Sequence, residues 1–124
     1  MSYKTLEIWA LANEVVLEIH EMTLQLPKFE MYEEGAQIRK SSKNVKATIV
    51  EGYGRKIYKS EYLKFLVYSL ASNDETKDHL ENLYHTKSLQ DHALYNRLHP
   101  KVERLGKKIR NFYHWVEENH KPSL

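Results

Sequence analysis

Apolar residues at alternating steps of four and three constrain this chain more than any other feature. Ile8, Ala12, Val15, Ile19, Met22 and Leu26 share one face of a helix, because a period of 3.6 keeps such positions in line. Trp9 and Val16 widen that stripe, and Leu26-Pro27 ends it, since the residue before a proline is driven out of the helical region. A second stripe begins near Glu30 and runs through Met31, Gly35, Ile38, Ser42, Val45, Ile49 and Gly52. Its many small residues allow close approach of a neighbouring helix. A third helix is expected from Ser60, as N-cap, toward His85 or Lys87; residues 62–71, YLKFLVYSLA, are apolar on nearly every face, as in a helix covered by several neighbours. The fourth stripe is the most regular: Leu94, Leu98, Val102, Leu105, Ile109, Phe112 and Val116. Pro100 either opens that helix or kinks a longer one, and the unbroken register favours the longer, kinked helix.

No stretch alternates with the period of two that a strand requires, and only 4 Gly and 3 Pro punctuate 124 residues. The expectation is an all-α, antiparallel up-and-down four-helix bundle, with helices over about 4–25, 30–53, 60–86 and 92–118 in one domain. The apolar surround of the third helix also predicts self-association. With no cysteine in the sequence, disulfides, thiolate metal sites and cysteine nucleophiles are excluded, and a cytoplasmic setting is expected. No apolar run approaches the ~18 residues of a membrane span.

Motifs for catalysis are weak throughout. Of seven histidines only His120 follows a glutamate, Glu117, by three residues, so a di-metal core of paired Glu-x-x-His motifs is not expected. Glu14, Glu18 and Glu21 read as a solvated acidic face. His79 and His85, six residues apart, do not share one ion and take no role. Gly52-Tyr-Gly-Arg-Lys56 is no phosphate-cradling Walker loop, which has four residues between its glycines and follows a strand. The expectation is a protein without catalytic residues, metal or cofactor.

Charge supplies the remaining signal. The net charge is +2, but it runs −5 over residues 1–36, +6 over 37–64, −3 over 65–96, +5 over 97–110 and −1 in the tail. Acidic and basic helices packed side by side would produce this alternation, and so would two basic segments forming one anion-binding surface. Lys40, Lys43 and Lys46 recur every third residue, and Arg55, Lys56 and Lys59 follow with Tyr53, Tyr58 and Tyr62 among them. Cations neutralise phosphates and tyrosine rings stack on unpaired bases, so these six cations are the candidate contacts for RNA or DNA. Arg97, Lys101, Arg104 and Lys108 make a second basic stripe. The polar face that every exposed helix needs accounts for both stripes equally well.

Residues 26–55, LPKFEMYEEGAQIRKSSKNVKATIVEGYGR, resemble the signature of the 23S rRNA-intervening sequence protein family, a Pro-Lys-x-Glu-x-Tyr segment, a Gln-x-Arg, then Asn-Ile-x-Glu-Gly-x-Gly-Arg. The matches are Pro27, Lys28, Glu30, Tyr32, Gln37, Arg39, Ile49, Glu51, Gly52, Gly54 and Arg55, and Phe65-Leu66, Ala71-Ser72 and Glu75 resemble a later stretch. Thr48 stands in place of the motif Asn, and Asn44-Val45-Lys46 in place of a Ser-Ile-Pro found in many relatives. The resemblance implies a four-helix bundle that assembles as a homopentamer, without established enzymatic activity. The fold is also similar to that of the accessory proteins of diversity-generating retroelements, basic pentamers that bind nucleic acid and a reverse transcriptase. By that likeness the expected partners are further copies of the chain, RNA or DNA, and a reverse transcriptase. The alternative is an oligomeric protein-interaction scaffold that binds no nucleic acid. Arg39, Glu51, Ser72 and Glu75 lie on or beside packing faces and are expected to pair within or between subunits, because an unpaired buried charge is costly. Gly52 and Gly54 are expected to let the second helix stop, in the left-handed conformation that glycine tolerates, and the third helix approach.

Overall fold

A computed structural model describes residues 2–122. A 3-10 turn over Tyr3–Thr5 leads into α1 (Glu7–Leu24), followed by a short α2 (Lys28–Tyr32), α3 (Glu34–Gly54), α4 (Lys59–His85) and α5 (His92–Asn119). The four long helices run alternately up and down. In the order α1, α3, α4, α5 each packs on the next, α5 closes against α1, and α3 with α4 make the most extensive contact. Ile19, Ile38, Ile49, Leu66, Leu80, Leu98, Leu105 and Ile109, drawn from all four stripes, are fully buried in the shared core. The periodic positions are core positions because only they face inward on every helix.

Several boundaries differ from the sequence expectation. The expected 30–53 helix is broken at Glu33, whose φ of −102° and ψ of −98° turn α2 away from α3. The turn is held from three sides. Glu30 accepts from the Glu34 backbone N–H at 3.3 Å and from Ser88 Oγ at 2.7 Å, and Arg39 Nη2 donates to the Met31 carbonyl at 3.0 Å. Helix α4 starts at Lys59 after an extended Tyr58, so Ser60 is not its cap. Helix α5 runs through Pro100 with Asp91 as N-cap, its carboxylate accepting from the Leu94 N–H at 3.0 Å.

Polar residues dominate the seam between α3 and α4. Ser41 Oγ and Thr76 Oγ1 are 2.8 Å apart, Asn44 Nδ2 donates to Ser72 Oγ at 2.6 Å, and Thr48 Oγ1 and Ser69 Oγ are 2.6 Å apart. Gly52 finishes this ladder: a Cβ there would lie 3.0 Å from Phe65 Cβ, so the bare backbone sets the distance between the helices. The expected left-handed helix end is not what these glycines provide. No glycine has a positive φ, Gly54 faces open space, and among the described residues the one positive φ belongs to Lys87, at 70°.

Helix α4 is also less enclosed than its composition suggests. Tyr62, Leu66, Ser69, Asn73 and Thr76 point inward, but Val67 and Tyr68 are 47% and 46% exposed, and Ala71 is exposed beside them. The chain's own helices leave this outer face uncovered.

Candidate nucleic-acid interface

The cations singled out in the sequence fall into distinct environments. Lys40 and Lys43 sit on the outer face of α3, exposed and with no carboxylate in ion-pair reach among the described residues. Lys46 turns toward α1: its Nζ donates to Asn13 Oδ1 at 2.8 Å and lies 5.4 Å from the Trp9 ring centroid. Arg55 is committed to the α3–α4 turn. Its guanidinium meets Glu61 at 2.9 Å and Glu51 at 3.3 Å and stacks 4.9 Å from the Phe65 ring. Lys56 Nζ lies 3.7 Å over Tyr53, and Lys59 is half-buried in the first turn of α4. Lys40 and Lys43 thus share the outer face of α3, Lys46 faces α1, and Arg55, Lys56 and Lys59 lie in and beside the α3–α4 turn.

The interleaved tyrosines are not a uniform stacking platform. Tyr58 is exposed, whereas Tyr62 is buried among core side chains and packs edge-on to Phe112 and to His120. Burial pushes the Tyr62 phenol well above its ordinary range, with the neighbouring Tyr53 phenol adding to the shift. His120 Nε2 donates to the Lys56 carbonyl at 3.0 Å, tying the end of α5 to the turn.

Several motif residues sit at the bends and seams of the bundle. Pro27 is the N-cap of α2, Glu30 and Arg39 hold the α2–α3 corner, and Ser72 and Gly52 belong to the α3–α4 seam. Glu51, expected to be a buried partner, has a side chain 51% exposed and, among the described residues, pairs only with Arg55 four positions on. Glu75 is exposed too, 3.7 Å from His79 Nε2, while Glu34 lies 3.4 Å from Nδ1 on the other side of that ring. His79, given no role from sequence, thus lies between Glu75 of its own helix and Glu34 at the start of α3.

On α5 the regular stripe is largely neutralised. Lys101 and Arg97 reach Glu18 at 2.6 and 3.5 Å, and Lys108 reaches Glu7 at 2.6 Å, so acidic α1 and basic α5 do pack side by side. Lys108, first by its hydrogen bond and then by its charge, holds the Glu7 carboxyl below the usual range, and Arg104 adds a smaller effect. Glu18 is therefore not part of a purely solvated face. Two features escaped sequence reasoning. Lys107 and Arg110, off the regular stripe, are exposed and unpaired with any carboxylate among the described residues. Asn73 and Gly106 form a buried polar link: Asn73 Nδ2 donates to the Val102 carbonyl at 2.9 Å, through space that a Gly106 side chain would fill. A glycine between charged residues on a strongly periodic helix was the available sign of that contact.

No helix among the described residues is long and apolar enough to cross a membrane, and no group of three His, Asp or Glu side chains among them is arranged to hold a metal ion. No curated protein matches the chain. The family model described as 23S rRNA-intervening sequence protein matches residues 4–111, which span α1 to α4 and most of α5. The Pro27–Arg39 corner and the Gly52–Arg55 turn lie inside that match, and the chain belongs to the 23S rRNA-intervening sequence protein family, small helical proteins of unknown function.

Proposed function

We propose that this protein is a non-catalytic, self-associating helical bundle that offers the Lys40–Lys43 face of α3 to RNA or DNA. The observation that carries the reading is the uncovered outer face of α4. Val67, Tyr68 and Ala71 are exposed in a row, flanked by half-buried Leu63 and Leu70. An apolar row left open by its own fold is the type of surface that further copies of the chain cover. Five copies is the number implied by the resemblance noted in the sequence. Lys40 and Lys43 lie on the neighbouring helix and keep their charge unneutralised, so an assembly through α4 would multiply a weak phosphate contact.

Light scattering on the purified chain tests the first half. A mass of several protomers is expected, and Val67→Asp with Ala71→Asp should return the protein to the 14.8 kDa of one chain. A monomeric wild-type chain would end this reading. For the second half, labelled RNA and DNA are titrated at several salt concentrations, with affinity falling steeply as salt rises.

A further inference from the structure

Helix α4 is striped twice. Its inner stripe, Tyr62, Leu66, Ser69, Asn73, Thr76 and Leu80, belongs to the core. A second stripe runs down the outside at steps of four, three, four, three and four: Ser60, Lys64, Val67, Ala71, Asp74 and Asp78, every one of them exposed. Alternating steps of this kind form the seam of a two-stranded coiled coil, in which each helix lays one stripe against the other. Helices α3 and α5 flank α4, and α1 lies across the bundle, so the chain's own helices leave this stripe open.

The order of residues along the stripe is complementary to its own reverse. A cation, Lys64, precedes the apolar centre, and two acids, Asp74 and Asp78, follow it. Turned end over end about a point level with Ser69, the stripe sets Lys64 against Asp74, Val67 against the small Ala71, and Ser60 against Asp78. Each of these pairs is then made twice, as in any isologous contact. The flanks of the stripe are apolar as well. Tyr68, 46% exposed, packs edge-on to Phe65 on the side of α3, and half-buried Leu70 lies toward α5, seven residues before the Lys77 that pairs with Glu103. The same rotation brings Glu61 toward Glu75, but Arg55 at 2.9 Å and Lys64 at 2.8 Å already hold Glu61.

From this self-complementarity we infer that α4 is a two-fold interface: two copies of the chain pair through antiparallel α4 helices, with Val67 and Ala71 at the centre and a Lys64–Asp74 ion pair at each end. Tyr68 meets its counterpart on one flank of the contact and Leu70 meets its own on the other. The α3 helices of both copies lie on the Tyr68 side, so the two Lys40–Lys43 faces point the same way. The inference rests on the self-association proposed above and adds its occupant, register and symmetry. An isologous contact closes at two copies and does not by itself generate a ring of five.

The stripe is roughly 27 Å long and apolar only at its centre, which places the contact in the weak class and calls for measurement at high protein concentration. Sedimentation equilibrium of the full chain should then give twice the 14.8 kDa of one protomer. Lys64→Asp and Asp74→Lys should each weaken the dimer at least about tenfold, since each sets like charges opposite one another at both ends. The exchanged chain, Lys64→Asp/Asp74→Lys, should recover dimerisation to within about threefold of wild type, because the swap restores both pairs. The chain has no cysteine, so introduced single cysteines report the register directly. Lys64→Cys mixed with Asp74→Cys should give a disulfide-linked dimer on mild oxidation, whereas Lys64→Cys alone should not, its two copies being offset by roughly 15 Å along the helices. All the substituted positions are exposed, and melting curves establish that each variant is folded.

A monomeric wild-type chain would overturn both this inference and the self-association on which it rests. An assembly of five protomers, or one that falls apart with Val67→Asp/Ala71→Asp but ignores both charge reversals, would overturn the two-fold pairing and leave self-association standing. Failure of the exchanged chain to recover dimerisation, or a disulfide formed by Lys64→Cys alone, would overturn the antiparallel register and the inference with it.

Discussion

Asn73 is a polar side chain, 3% exposed, in the middle of the core. Its amide reaches the Val102 carbonyl only because residue 106 is glycine, since a Cβ there would lie 2.9 Å from Nδ2. Two effects oppose each other at this position. Alanine favours the helix over glycine by about 1 kcal/mol, and displacing the amide loses a buried hydrogen bond of similar size. Gly106→Ala should therefore leave stability nearly unchanged in the wild-type chain but raise it by about 1 kcal/mol when Asn73 is also alanine. Denaturant unfolding of the four proteins of that cycle measures the coupling, and an additive cycle would show that the bond contributes nothing. Tyr62 makes a second residue-scale prediction, in pH. Its folded pKa is raised, so its neutral form supports the fold fully below the unfolded phenol value of about 10 and that support is lost as pH rises above it. Melting temperature should fall between pH 9 and 11, and fall less in Tyr62→Phe.

At the scale of elements, the α3–α4 pair relies on small side chains rather than on apolar bulk. Ser69 is 0% exposed and its hydroxyl lies 2.6 Å from Thr48 Oγ1 and 3.3 Å from the Val45 carbonyl. Ser69→Leu would force the helices apart and should cost about 3 kcal/mol in denaturant unfolding, the cost of overpacking plus a lost buried hydrogen bond. The Arg55 staple at the end of the same pair is different in kind. Its side chain is 48% exposed, so Arg55→Ala and Glu51→Ala should each change stability by no more than about 1 kcal/mol. The contrast also explains what the sequence discloses. Helix number, direction and core follow from stripes such as Leu98, Val102, Leu105 and Ile109, because burial acts on every turn of a helix. The break at Glu33 does not, since it depends on Ser88, distant in the chain, meeting the Glu30 carboxylate. Glu51 misleads for the opposite reason: a charged residue next to a packing glycine reads as buried, yet its position on the helix turns it outward.

For the whole molecule, the alternating charge of the sequence becomes an arrangement in space. Acidic α1 neutralises one side of basic α5 through Glu18 and Glu7, and that pairing decides which cations remain available to an anionic partner. Glu18 is the pivotal acid because, among the described residues, it alone meets both Lys101 and Arg97, with the Lys101 side chain only 23% exposed. Glu18→Gln should have two opposite effects. Leaving a half-buried ammonium without its carboxylate should lower stability by about 1 kcal/mol. Releasing two cations beside Arg104 should raise affinity for a polyanion and steepen its salt dependence by about 1 to 2 in the log–log slope. Melting temperature and an oligo(dT) titration on the same preparation measure both. A variant that loses stability without gaining affinity would mean that the α1–α5 charges serve the fold alone, and that the anion-binding surface lies wholly on α3.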